Sequence, residues 1–345
     1  MYAIAGYASS LVFGKTAFGL RLPAVIFGLA AIVLIYGIVF ELTRRREIAL
    51  AAALLQSTQP IFIQFSRIAW ETASELPFLL AGLYVLLRAF RGAGQPDAPP
   101  RAVQWGALSF AAILLGLTSY TYMAGWFYAL VLGGAMVALN AWRFRSRDAW
   151  LKVAGVCALW LVVSAPALWM WFFDPHTIAR TEQIATFAHG ISPGSLHAFA
   201  ANYIAHFRWS YLVATGDPQP GLTWRYLNGF GAFYWWVIPL AVLGLAGAFR
   251  YIGSKWAVAW MWVWLAAYPL GGALTAEGAP KRRHTGSARW RRRRARSGSH
   301  CSDRSRRCSI CRSRTASADF RPEPERSRRA AGRKARARSA HSKAA

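Results

Sequence analysis

Residues 22–42 read Leu-Pro-Ala-Val-Ile-Phe-Gly-Leu-Ala-Ala-Ile-Val-Leu-Ile-Tyr-Gly-Ile-Val-Phe-Glu-Leu, and Arg44, Arg45 and Arg46 follow almost at once. A hydrocarbon core of about 30 Å takes roughly 20 apolar residues as helix. The stretch therefore reads as a transmembrane helix closed by a basic stop. Seven more apolar stretches follow, at 48–65, 74–90, 105–119, 123–141, 151–173, 231–249 and 256–275. In lipid only helices or closed barrels satisfy their backbone, and these lengths suit helices. The expected fold is all-α: a polytopic membrane protein of about eight transmembrane helices, with a long external loop at 174–230 and a disordered basic tail. Tyr2–Phe18 is moderately apolar. It reads as an interfacial helix leading into the first span, with a ninth span as the alternative.

Basic residues alternate from gap to gap. Arg44–Arg46, Arg88, Arg91, Arg101, Arg143, Arg145, Arg147, Lys152, Arg250 and Lys255 fall on one set of sides, twelve in all. Lys15, Arg21, Arg67, Arg180, Arg208 and Arg225, six in all, are spread over the other. The positive-inside tendency puts 43–47, 91–104, 142–150 and 250–255 in the cytoplasm. It leaves 66–73, the turn at 120–122 and the loop 174–230 outside.

A composition break falls near Pro280. Residues 281–345 hold 23 of the chain's 41 Lys and Arg, 4 of its 14 acids, and no Leu, Val or Met. So little apolar surface cannot offset chain entropy, and the segment is expected to be disordered. Two domains follow: a membrane body, 1–280, and an Arg-rich tail, 281–345. Nucleic acid, anionic headgroups and out-of-frame translation all suit such a tail. Its dominance by Arg, Ser and Ala favours the last, so no nucleic-acid partner is expected. Cys308 and Cys311 have CxxC spacing but no second pair, so no metal or cofactor is expected. Cys157, inside a span, reads as packing.

Ionisable residues near membrane depth are costly and mark candidate sites. The densest external cluster is Ser66-Arg67-Ile68-Ala69-Trp70-Glu71-Thr72-Ala73-Ser74-Glu75. If helical, Arg67 and Glu71 share a face. They form either a phosphate site, with Arg offering a planar fork of donors, or an interfacial ion pair. In the long loop, Asp174-Pro175-His176 and Arg180 are the second candidates. His176 reads as a base oriented by Asp174, or as part of a solvated loop start. No P-loop, GxGxxG or close histidine pair points to a soluble enzyme or a metal site.

The order of features in residues 13–90 carries a resemblance. Phe-Gly-Lys-Thr-Ala-Phe-Gly-Leu-Arg-Leu-Pro-Ala leads into a span and then Thr-Arg-Arg-Arg. The next span ends Gln-Pro-Ile-Phe-Ile-Gln-Phe-Ser-Arg-Ile-Ala-Trp-Glu. Together with Ser119-Tyr120-Thr121-Tyr122 and the Pro166 span, this resembles bacterial GT-C membrane glycosyltransferases of the protein-mannosyltransferase and aminoarabinose-transferase type, over about residues 1–280. The resemblance implies transfer of a sugar from a polyprenyl-phosphate donor to a lipid, glycan or protein on the outer side of the bacterial inner membrane. It implies that Arg67 and Glu71 serve the donor phosphate and the shape of the site. It also implies an acidic base in the first external loop, which would lie upstream of Met1. No Asp or Glu occurs before Glu41, so the chain is expected to be incomplete at both ends and inactive. The alternatives are a transporter or flippase for a lipid-linked substrate, and a non-catalytic partner in envelope assembly.

Overall fold

The computed structural model describes residues 1–90, 103–122, 124–187, 190–214, 216, 230–252 and 255–274. Two units divide the chain, Met1–Arg283 and His284–Ala345, and every described residue lies in the first. The expectations for the tail fall outside the described residues. Among those residues every regular element is helical, and the protein is an all-α membrane protein.

Three helices are long and apolar enough to cross a bilayer alone: α2 (Ala17–Thr43), α5 (Thr72–Ala89) and α9 (Arg147–Phe173). Before them, α1 (Tyr2–Phe13) has 12 residues, about 18 Å of helix, too short for the ninth span. It is tied down by Tyr2 Oη donating to the Leu20 carbonyl at 2.7 Å. Thr16 caps α2 by accepting from Gly19 N–H at 3.1 Å. Arg44 ends it in a left-handed conformation, its N–H bonded to the Phe40 carbonyl. Much of α2 is apolar all round and exposed, including Phe18, Ile26, Leu29 and Val33, as suits a lipid-facing helix. On α9 Ser146 is the cap, and most of that helix is exposed as well. Cys157 is exposed there and takes no part in the packing expected of it.

The expected span 48–65 is broken. Helices α3 (Arg46–Thr58) and α4 (Pro60–Arg67) meet at a 62° bend. Pro60 lacks an N–H and starts a helix well but does not continue one. Exposed backbone inside a membrane must find protein partners. Here segment 230–236 supplies them: Ile61 N–H donates to the Ala232 carbonyl at 3.3 Å, and Tyr234 N–H donates to Gln59 Oε1 at 3.2 Å. Gln59 is 2 % exposed.

The core lies along α5. Leu79, Leu80, Leu83, Leu86 and Leu87 are buried, and α5 packs on α2 and on α6 (Trp105–Leu117). Small residues allow this approach, the device by which membrane helices gain packing contacts. A Cβ on Gly82 would stand 2.7 Å from Leu115, and one on Gly37 would stand 2.9 Å from Tyr84. At the Arg-rich end Glu41, its side chain 6 % exposed, bonds Arg44 at 2.7 Å and faces Arg88 at 3.9 Å.

The expected span 123–141 is irregular. It runs as α7 (Gly125–Tyr128), a π turn at Ala129–Gly133 and α8 (Gly134–Leu139). A π turn leaves a carbonyl out of the helical ladder. The buried Trp260 indole N–H reaches the Leu132 carbonyl at 3.0 Å. Beyond α9, the expected long loop is largely helical where described, with α10 (Pro175–Ile184), α11 (Pro193–Ala205) and a π turn at Ser210–Ala214. Then come α12 (Val237–Tyr251), α13 (Lys255–Ala267) and the single turn α14 (Leu270–Ala273). All eight predicted stretches thus contain helix. Three are long and apolar enough to cross as single helices, a fourth counts if the bent pair is one span, and the others are shorter.

Candidate functional site

The polar end of the body forms where the turn from α4 to α5 meets the 3₁₀ turn Thr118–Tyr120. Residue Ile68 is extended, at φ −97° and ψ 132°, so 66–75 is not one helix. Arg67 closes α4 and Glu71 precedes α5, and both are exposed. The i, i+4 pairing predicted for them needs a continuous helix and does not form among the described residues. The Glu71 carbonyl instead accepts from Ser74 N–H at 3.1 Å and Ser74 Oγ at 2.7 Å, closing the first turn of α5. Arg67 keeps its five guanidinium donors clear of any ion pair among the described residues.

Aromatic rings wall this end. Phe65 stacks on Trp70 at 5.6 Å, and Trp70 meets Tyr122 edge-on at 6.4 Å. The 3₁₀ turn is fastened from several directions. Thr118 Oγ1 donates to the Leu115 carbonyl at 2.6 Å, Trp171 Nε1 to the Ser119 carbonyl at 3.1 Å, and Tyr120 Oη to the Val163 carbonyl at 2.8 Å. The Met1 amine donates to the Tyr120 carbonyl at 3.2 Å. Burial lowers the pKa of that amine, while the nearby Glu71 carboxylate works in the opposite direction.

The second predicted cluster has a structural explanation. Asp174 Oδ2 accepts from Thr177 N–H and Thr177 Oγ1, each at 2.8 Å. These bonds make Asp174 the cap of α10. They hold its carboxyl below the ordinary carboxylate value, with a smaller contribution from His176. His176 is exposed, and among the described residues no hydrogen bond joins its ring to Asp174. Arg180 lies one turn further along α10, and its side chain is outside the described residues. The segment after α10 is pinned by Thr186, whose N–H and Oγ1 donate to the Leu274 and Ala273 carbonyls at 2.8 and 3.0 Å. Among the described residues no group of three or more His, Cys, Asp or Glu could hold a metal.

A family model described as dolichyl-phosphate-mannose-protein mannosyltransferase matches residues 3–180. The chain belongs to this family. As a member of the mannosyltransferase family it is a membrane glycosyltransferase of the GT-C type, as the sequence resemblance implied. The match runs from α1 into α10 and contains Arg67, Glu71, Asp174, His176 and Arg180. No curated protein and no solved structure matches the chain.

Sequence reasoning did not single out Glu75, Tyr128 or His206. Glu75 lies on the lipid-depth side of the cluster, one turn into α5. Tyr128 Oη donates to the Tyr268 carbonyl and accepts from Gly271 N–H, both at 3.1 Å. His206, 5 % exposed, sets its ring edge-on to Tyr211 and Tyr268, with Nδ1 2.8 Å from the Asn202 carbonyl. Only Glu75 left a signal that could have been used, an acid inside an apolar run.

Proposed function

We propose that this mannosyltransferase-family chain binds a polyprenyl-phosphate-sugar at its Arg67 end, on the outer face of the bacterial inner membrane. In the assembled reaction the sugar passes to an extracytoplasmic acceptor. The observation that carries this reading is Arg67 itself: an exposed guanidinium, without an ion pair among the described residues, at the aromatic-walled end of a GT-C body. A planar fork of charged donors suits a phosphate better than water alone does. The charge pattern of the gaps supports the outward orientation of that end.

The chemistry is a single displacement at the anomeric carbon. A carboxylate takes the acceptor proton, and positive groups stabilise the departing lipid phosphate. The resemblance places that carboxylate in the first external loop. In nanodiscs, Arg67→Ala is expected to weaken binding of polyprenyl phosphate by roughly tenfold or more, the worth of a charge-assisted hydrogen bond. An unchanged affinity would remove Arg67 from the site.

A further inference from the structure

The π turn Ala129–Gly133 is braced from two places. Tyr128, just before it, donates from Oη to the Tyr268 carbonyl and accepts from Gly271 N–H, both at 3.1 Å. Within the turn, the Leu132 carbonyl accepts from the buried Trp260 indole at 3.0 Å. A π turn is a rare element, and single ones often mark functional sites. Its i→i+5 bonds enclose one residue more than an α turn does. If this turn closed to α with every residue kept, α7 would rotate about 100° against α8 and shift about 1.5 Å. The Tyr128 phenol would then leave Tyr268 and Gly271.

The other end of α7 is joined to the candidate site. Gly125 N–H donates to the Tyr122 carbonyl at 2.9 Å, and Thr118 Oγ1 donates to the Gly125 carbonyl at 3.1 Å. Gly125 lies so close to the Thr118 carbonyl that a Cβ there would clash. A rotated α7 therefore pulls on the turn 118–122 or lets go of it. That turn carries Tyr122 and its edge-on contact with Trp70.

We infer that Trp260 is a positioning residue for the donor site, acting through the π turn. Its indole N–H on the Leu132 carbonyl keeps the turn from closing to α, and so keeps 118–122 where it walls the Arg67 end. The inference rests on the donor reading given above. A ring that merely filled the core would be replaced by Phe with no effect at 118–122.

The test uses the full chain in nanodiscs as wild type, Trp260→Phe, a deletion of Leu130, and the two changes together. Leu130 is 49 % exposed, and its removal leaves the residue count of an α turn, so the flanks keep their phase without a brace. Trp260→Phe is expected to speed amide exchange over 118–122 and 124–128. It should also weaken polyprenyl phosphate binding about three- to fivefold, the range open to one lost hydrogen bond. Deleting Leu130 from the Trp260→Phe chain should return both readings to wild type. Tyr128→Phe removes the other brace and should speed exchange over the same segments. Combined with Trp260→Phe it should add little, because both braces hold one turn. Unchanged exchange in Trp260→Phe would overturn the inference, as would additive effects of Trp260→Phe and Tyr128→Phe. A folded deletion variant that stays as weak as Trp260→Phe would overturn it too. If wild type binds no polyprenyl phosphate, the donor reading fails, and the exchange measurements alone decide whether Trp260 holds the turn.

Discussion

Gln59 links the broken span to the segment that seals it, and its replacement has a calculable cost. Its Oε1 accepts from Tyr234 N–H at 3.2 Å, and its Nε2 donates to the Leu55 carbonyl at 2.8 Å. Gln59→Leu removes both bonds, and the long contact of Nε2 to Thr58 Oγ1 at 3.5 Å, while keeping a similar volume. The Leu55 carbonyl is not orphaned, because Thr58 Oγ1 also donates to it at 3.0 Å. The loss reduces mainly to one part-buried N–H, that of Tyr234. An unmade buried bond costs about 1–3 kcal/mol in soluble proteins, whereas measured values in membranes average about 0.6 kcal/mol and reach about 1.7 kcal/mol. Gln59→Leu should therefore destabilise by about 0.5–2 kcal/mol. Gln59→Glu keeps the acceptor but adds a charge at membrane depth, costing about 2.5–3.5 kcal/mol on insertion scales. Reversible unfolding in mixed micelles reads both, and limited proteolysis near 230–236 locates the loosened segment. If Gln59→Leu is neutral, or more damaging than Gln59→Glu, the sealing role assigned to Gln59 is wrong.

Two further outcomes follow from the same contacts. Trp260→Phe keeps an aromatic ring but strips the Leu132 carbonyl of its donor. It should lower stability by about 1 kcal/mol, measured in the same micelles, with the added loss on Trp260→Ala reporting the cavity. Asp174 has a depressed pKa in the fold, so its capping contribution is complete above the ordinary value of 3.8 and is lost as pH falls through the lower folded value. Asp174→Asn should flatten that acid dependence of protease protection across 175–184, and a profile parallel to wild type would contradict the capping role.

Much of the body was legible because lipid imposes a coarse code. Eight apolar stretches of suitable length and the Arg44–Arg46 stop are enough to announce helices. The finer structure depends on partners far away in sequence. Pro60 announces a bend or a helix start, but only the Ala232 carbonyl and Tyr234 N–H, about 170 residues on, make a 62° break tolerable. The π turn at 129–133 likewise depends on Trp260, from a helix far down the chain. At the site, the residue types Arg67 and Glu71 stood out, while their geometry turned on the extended Ile68 between them, which no spacing rule reveals. Asp174 is a familiar helix-cap residue, and the Asp-Pro-His order hid that role behind a more chemical reading. Glu75 carried a usable signal, an acid inside an apolar run.

The account stands on donor binding at the Arg67 end. A photoreactive polyprenyl-phosphate-sugar, cross-linked to the chain in nanodiscs and mapped by peptide mass, tests this directly. Label is expected within 65–75 and 118–122, reduced by competing donor and by Arg67→Ala. Label confined to the opposite end, at 43–47 and 142–150, or spread evenly along the lipid-facing helices, would contradict it.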